Sequence, residues 1–181
     1  EMDTVYNDVS NGPFIQTFKF LQYDLLICIY HESKTTDEML RGILLLEQYL
    51  GPDIFNAEVE VLLTDRGSEF VSASEAEYRE DGSRRTRVYY CDSMCSWQKG
   101  SLENVHLLLR EICPNKTDLY ALGLTSQEKA NIISSHINSY PKKKLKGKSS
   151  FQLLEFINPD MADRLYQAGL FVVRSDEVTL K

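Results

Sequence analysis

Several protein classes are excluded by what the sequence lacks. Four cysteines in 181 residues are too few for a disulfide framework, so reduced thiols are expected. No stretch nears the roughly 18 apolar residues of a membrane span. The longest apolar runs, residues 25–30 and 43–46, are the size of core segments. Positive charge is in deficit: 20 Lys and Arg stand against 27 Asp and Glu, a net charge of −7. A dedicated nucleic-acid binder usually carries a basic footprint, and the total argues against one. Disorder is excluded as well, since 43% of the residues are hydrophobic and 26% charged. The chain opens on Glu1 rather than Met and no charged-then-apolar leader follows, which leads to the expectation of an excised part of a longer protein. The length suits one domain of about 150 residues plus an appendage.

What positive charge there is lies unevenly. Lys142, Lys143, Lys144, Lys146 and Lys148 put five lysines in seven residues, and Arg84, Arg85 and Arg87 form a second cluster. Such patches can steer polyanions even when the total charge is negative.

Periodicity divides the chain. Residues 2–6 alternate and predict a short strand. Residues 14–20 alternate apolar and polar, a second strand after the turn signal Asn11-Gly12-Pro13, and residues 25–30 read as a buried third. Short connections make these an antiparallel meander. Then Met39, Ile43, Leu46 and Leu50 recur at helical spacing, with Ser33 or Thr36 as cap and Gly51-Pro52 as stop. Residues 58–63 predict a strand, and strand–helix–strand implies a right-handed crossover with parallel pairing. Residues 72–78 read as a short helix, 87–90 as a strand, 98–112 and 126–138 as helices, 151–156 as a short helix or turn, 159–168 as a helix and 170–173 as strand-like; 119–122 is ambiguous. This order suits an α/β fold of the ribonuclease-H type: a central mixed five-stranded sheet flanked by helices.

Three acidic residues stand out. Asp3 lies inside an otherwise apolar strand, where a carboxylate needs a partner or a cation unless the chain end is frayed. Asp65 directly follows a strand, at the end where open α/β sheets place ligands, and Gly67 permits a tight turn after it. Its other reading is an Asp that starts a turn or caps the next helix. Glu103 lies near the start of the helix 98–112, beside the apolar stripe of Leu102, Val105, Leu109 and Ile112, and shares its own stripe with His106, Leu107 and Arg110. A solvated helical Glu is the other reading. Carboxylates converging at strand ends bind hard divalent cations, and two such ions can activate a water and stabilise the leaving oxygen of a phosphodiester. They would also turn an acidic pocket into a phosphate-binding one.

At TDRGSEF, and again at SWQKGSLENVHLLLR, the chain resembles the catalytic core of the DDE transposases of the retroviral-integrase superfamily, most closely the insertion-sequence-thirty branch of bacterial transposases. The resemblance covers residues 1–157, leaving 158–181 as a C-terminal extension. EMDTV resembles the first catalytic strand and implies Asp3 as its acid; VLLTDRGSEF implies Asp65; the block from VYYCDSMCSWQKG to LREICPNKTD implies Glu103, 38 positions after Asp65. NSYPKKKLKGKSSFQLLEF resembles the block that closes the core. Two Mg²⁺ or Mn²⁺ ions held by Asp3, Asp65 and Glu103 are implied, with cleavage at transposon ends and transfer of the freed 3′ hydroxyl to target DNA. Arg110, seven positions after Glu103, is implied to touch DNA; His106, on the Glu103 face, touches DNA or the attacking water or is a plain helical His, and Lys99, Lys142, Lys143 and Lys144 are further candidate DNA contacts. Arg66 replaces the Asn usual after the second Asp; Asn104 survives after the last Glu, whereas Val105 and His106 differ. A dimer or higher multimer that pairs two DNA ends is implied, in a cytoplasmic, nucleoid-associated bacterial enzyme with no membrane contact. The N-terminal helix-turn-helix region of relatives does not occur in the sequence.

Other signals point elsewhere. Cys91 and Cys95, with His106 and Cys113 downstream, lack the tight second pair of a zinc site, so buried or partly buried free thiols are expected. His31, His106 and His136 stand near no nucleophile motif. Trp97 stacks on an unpaired base or anchors its loop to the core. The lysine run binds the DNA backbone or is a solvated loop. Two further functional readings are a degenerate core that binds DNA without cutting it, and a ribonuclease-H-type nuclease acting on RNA–DNA hybrids.

Overall fold

The computed structural model of the chain describes residues 1–6, 12–67, 70, 73–92 and 96–180, except the side chains of Ala73, Ser96 and Trp97. Of the predicted motifs, Asn11, Ser68, Glu69 and Cys95 lie outside the described residues. Strands β1 (Met2–Val5), β2 (Phe14–Phe20) and β3 (Leu25–His31) form an antiparallel sheet in that order. Strands β4 (Val61–Thr64) and β5 (Arg87–Tyr90) form a parallel pair. All five strands sit where periodicity predicts them, but as a three-stranded and a two-stranded sheet rather than one sheet of five. The joint between β1 and β4 is made by side chains: Met2 and Leu62 enter the same core, and Lys99 bridges Asp3 and Asp65.

The helices are α1 (Thr36–Leu50), α2 (Pro52–Glu58), α3 (Ala73–Glu77), α4 (Gly100–Ile112), α5 (Gln127–Ser139), α6 (Ser150–Ile157) and α7 (Pro159–Gln167). Thr35 caps α1, rather than Ser33 or Thr36, by accepting from the Glu38 N–H. Gly51 closes it at φ 77°, a left-handed conformation glycine adopts at little cost. Pro52 then opens α2, which sequence reasoning missed by taking Gly51-Pro52 only as a stop; proline suits the first helical position. Ser149 and Gln152 form a capping box at α6, and Asn158 caps α7.

Both faces of the antiparallel sheet are covered. Phe18, Phe20, Leu25, Ile27 and Ile29 pack with Met39, Ile43 and Leu46 of α1, Phe151 and Leu154 of α6 and Leu165 of α7. Val5, Ile15, Leu26 and Cys28 pack with Leu102, Val105 and Leu109 of α4 and Ala130 and Ile137 of α5. This explains why the alternating β2 has no solvent face: every residue in it is buried. Helix α5 also covers the open edge of β3. The Asn138 amide pairs with both backbone groups of Leu26, Ser134 Oγ accepts from Cys28 N–H, and Gln127 accepts from Tyr30 N–H. Residues 170–173, expected to be strand-like, form no strand. Their Phe171 and Val173 N–H groups donate to Ser135 and Ser139 of α5, so they dock on a helix instead of a sheet.

Candidate active site

The strands bring two of the three predicted acids together. Asp3 faces α4 from β1, and Asp65 leaves the end of β4. Each commits Oδ1 to a backbone amide: Asp3 accepts from Thr4 N–H at 2.8 Å and Asp65 from Gly67 N–H at 2.9 Å. Each turns Oδ2 to the same ammonium, Lys99 Nζ, at 3.1 Å from Asp3 and 3.3 Å from Asp65. The Lys99 side chain is only 7% exposed, whereas those of Asp3 and Asp65 are 26% and 47% exposed. Burial works against the ammonium, but Asp3 and Asp65 outweigh it and hold the Lys99 pKa above its usual value. Two hard carboxylate oxygens turned to one positive charge are a donor set Mg²⁺ accepts, and Lys99 stands where that charge is wanted.

Glu103 does not join them. It is exposed in the first turn of α4, and among the described residues no three His, Cys, Asp or Glu side chains are grouped to hold a metal. Of the rest of its stripe, Leu107 is exposed, while His106 and Arg110 are part-buried and reach groups of β2 and of the chain just after β1. His106 Nε2 lies 3.0 Å from Thr17 Oγ1, and that hydroxyl is 3.2 Å from the Asp3 carbonyl. Thr17 is the register partner of Asp3 across β1 and β2. Burial drives the His106 pKa down to about 4 against the pull of Asp3, so the ring is neutral at pH 7. Arg110 donates to the Tyr6 and Cys113 carbonyls at 3.4 Å each. Glu1 accepts from the Leu102 N–H at 2.7 Å, placing a carboxylate at the N-terminus of α4 and fixing the helix to β1.

The lysine run divides. Lys142 is buried, which corrects its assignment to DNA: its Nζ donates to the Asp24 carbonyl and Ser150 Oγ and pairs with the Asp24 carboxylate at 3.0 Å. Lys144 also reaches Asp24, at 2.6 Å, but its side chain stays 55% exposed. Lys143 is exposed and, with Lys144, Tyr140 and Asn104, lines a groove of about 380 Å³ beside α4. The arginine cluster is likewise tied up in pairs within the chain, with Arg85 buried and Arg84 and Arg87 exposed. Arg85 pairs with Glu47 and donates to three carbonyls, Arg84 with Tyr78 and Glu77, and Arg87 with Glu60. Cys28, Cys91 and Cys113 are buried free thiols, as expected.

Sequence reasoning missed Thr17 and Asp24. Asp24 was detectable: Lys19, between Phe18 and Phe20 in a buried strand, needs an acidic partner, and Asp24 lies five residues on in the turn to β3.

No protein-family model matches the chain. The transposase for insertion sequence element IS1086 of Cupriavidus metallidurans is 34% identical over 106 residues, 59% of this chain and 29% of that protein. Transposase InsI for insertion sequence element IS30A of Escherichia coli is 33% identical over 94 residues, 52% of this chain and 23% of that protein. The chain therefore spans less than a third of the length of these curated relatives. Among solved structures, the HTLV-2 integrase catalytic core domain in complex with magnesium (trimeric form) matches with a TM-score of 0.50. It is 16% identical over 84% of this chain and 92% of that one, a likeness of fold. Likeness in sequence to insertion-sequence transposases and in fold to an integrase core together support a member of the DDE transposase/integrase superfamily.

Proposed function

We propose that the chain is the catalytic core of a DNA transposase that cuts strands at transposon ends and joins them to target DNA. The observation that carries this reading is the convergence of Asp3 and Asp65 Oδ2 on a single cation. Asp3 and Asp65 would hold Mg²⁺ or Mn²⁺, with Glu103 supplying the third carboxylate from the first turn of α4. Bound there, the metal pair supplies activation of water or a 3′ hydroxyl and stabilises the leaving oxygen. The chain's own groups do the rest. Thr17 and neutral His106 hold β1 so that Asp3 keeps its direction. Lys143 and Lys144 offer positive charge to a DNA backbone along the groove beside α4, and Arg110 is a further candidate contact, whereas Lys99, buried and paired with the acids, is not. The magnesium complex and trimeric form of the integrase core support a divalent metal and a homomultimer, and the bacterial transposases that the chain resembles in sequence support action in a bacterial cell.

Strand transfer on duplexes carrying the cognate transposon end, with Mn²⁺, tests this. Asp3→Asn, Asp65→Asn and Glu103→Gln should each abolish the reaction, with circular dichroism unchanged. Retained transfer by Glu103→Gln would overturn the reading. A core that binds DNA without cutting it is the second reading, favoured by one observation: Glu103 stands apart from the aspartate pair. Metal-independent DNA binding with no cleavage by the unaltered chain would select it.

A further inference from the structure

We propose that Lys99 is a built-in competitor of the metal, its ammonium occupying the place between Asp3 and Asp65 until a divalent cation displaces it. This rests on the reading of the aspartate pair as a metal site and goes beyond it by making metal loading conditional on one side chain.

The geometry makes the two occupants mutually exclusive. Both Oδ2 atoms already face Lys99 Nζ, at 3.1 and 3.3 Å, and both Oδ1 atoms are held by backbone amides. A divalent cation seated on the same Oδ2 atoms, at about 2.0–2.1 Å for Mg²⁺, would meet the ammonium at a separation that like charges do not tolerate. The lysine has to leave, and its position lets it. Lys99 is the last residue of the 3₁₀ turn Ser96–Lys99 and directly precedes α4. Four rotatable carbons carry the ammonium, so release is a side-chain rotation and the helix stays in place. The two carboxylates, at 3.1 and 3.3 Å, give the bound state its weight and outweigh the cost of burying the ammonium. Apparent metal affinity is then the intrinsic affinity multiplied by the fraction of molecules whose lysine is displaced.

Calorimetric titration with Mn²⁺ of the unaltered chain, Lys99→Met, Lys99→Arg and the double variant Lys99→Met/Asp65→Asn tests this, with thermal unfolding of each protein with and without Mn²⁺. Lys99→Met should bind Mn²⁺ roughly tenfold or more tighter than the unaltered chain, since the competing charge is gone. Lys99→Arg, which keeps a cation, should show no such gain, and the double variant should lose the binding. Without metal, Lys99→Met should melt lower than the unaltered chain, and Mn²⁺ should raise its melting temperature by more. Should Lys99→Met fail to fold, Lys99→Gln, whose amide still donates to a carboxylate, carries the same comparison. Equal Mn²⁺ affinity in the unaltered chain and the folded Lys99 variant, lost on Asp65→Asn, would overturn this inference and leave the metal site standing. A gain that persists in the double variant would overturn it too. No Mn²⁺ binding by any folded variant would overturn both the inference and the metal reading.

Discussion

Lys99 between Asp3 and Asp65, and Asp24 among Lys19, Lys142 and Lys144, are inverse clusters on one scaffold. In the first, the acids are in the majority and face solvent while the lone base is buried. In the second, the lone acid is buried, Lys19 and Lys142 are buried with it, and only Lys144 reaches out. Burial alone would raise the Asp24 carboxyl, but Lys144, Lys19 and Lys142 hold it below the ordinary range. The first cluster keeps a surplus of exposed negative charge that a cation can use. The second is a clamp: it ties the turn between β2 and β3 to the segment before α6, and its surplus positive charge is largely inaccessible. Charge composition alone does not separate the two; which sign is buried does.

Removing the minority acid of the clamp should have the largest effect on stability. Asp24→Asn leaves buried Lys19 and Lys142 without their counterion and should cost about 3–5 kcal/mol in chemical denaturation. Asn also tolerates the left-handed backbone at this position, φ 53°, so the loss isolates the charge. Asp65→Asn, at a half-exposed carboxylate, should cost less than about 1 kcal/mol. Equal losses in the two variants would erase the distinction drawn between clamp and site.

The histidines sharpen the same contrast through pH. His31 is buried between Gln16 and Glu38, and burial lowers its pKa; His106 is lowered to about 4. Both folded values lie below the unfolded value near 6.5, so the unfolded chain binds more protons as pH falls. Stability is therefore present above about pH 6.5 and is lost towards pH 4. The His106 share of that loss should be about 1–3 kcal/mol, and His106→Gln should flatten the acid limb of a stability–pH curve. The smallest expected effect is a gain. Thr64 Oγ1, buried beside Asp65, is without a hydrogen-bond partner among the described residues, so Thr64→Val should stabilise the fold by about 1 kcal/mol.

Much of this architecture is legible in the sequence, for a physical reason. Strand and helix periods are local, so β1 to β5 and six of the seven helices fall near their expected positions, and Asp3 and Asp65 sit at strand positions that bring them together. What escapes is set by distant contacts. Lys99 meets Asp65 34 positions upstream, and Lys142 meets Asp24 118 positions away, so neither burial can be read from a run of lysines. Residues 170–173 carry a strand's composition, yet the serines of α5 accept their backbone. Gly51-Pro52 ends one helix and begins another, two outcomes of the same dipeptide. Glu103 shows the converse: its motif is the most extended in the sequence, and the fold leaves it exposed.

The most direct measurement is Mn²⁺ binding by calorimetry in the presence of duplex DNA carrying the transposon end, comparing the unaltered chain with Asp65→Asn. Binding in the first that disappears in the second is the predicted result. Equal binding in both, or none in either, would contradict the assignment of Asp3 and Asp65 as a metal site.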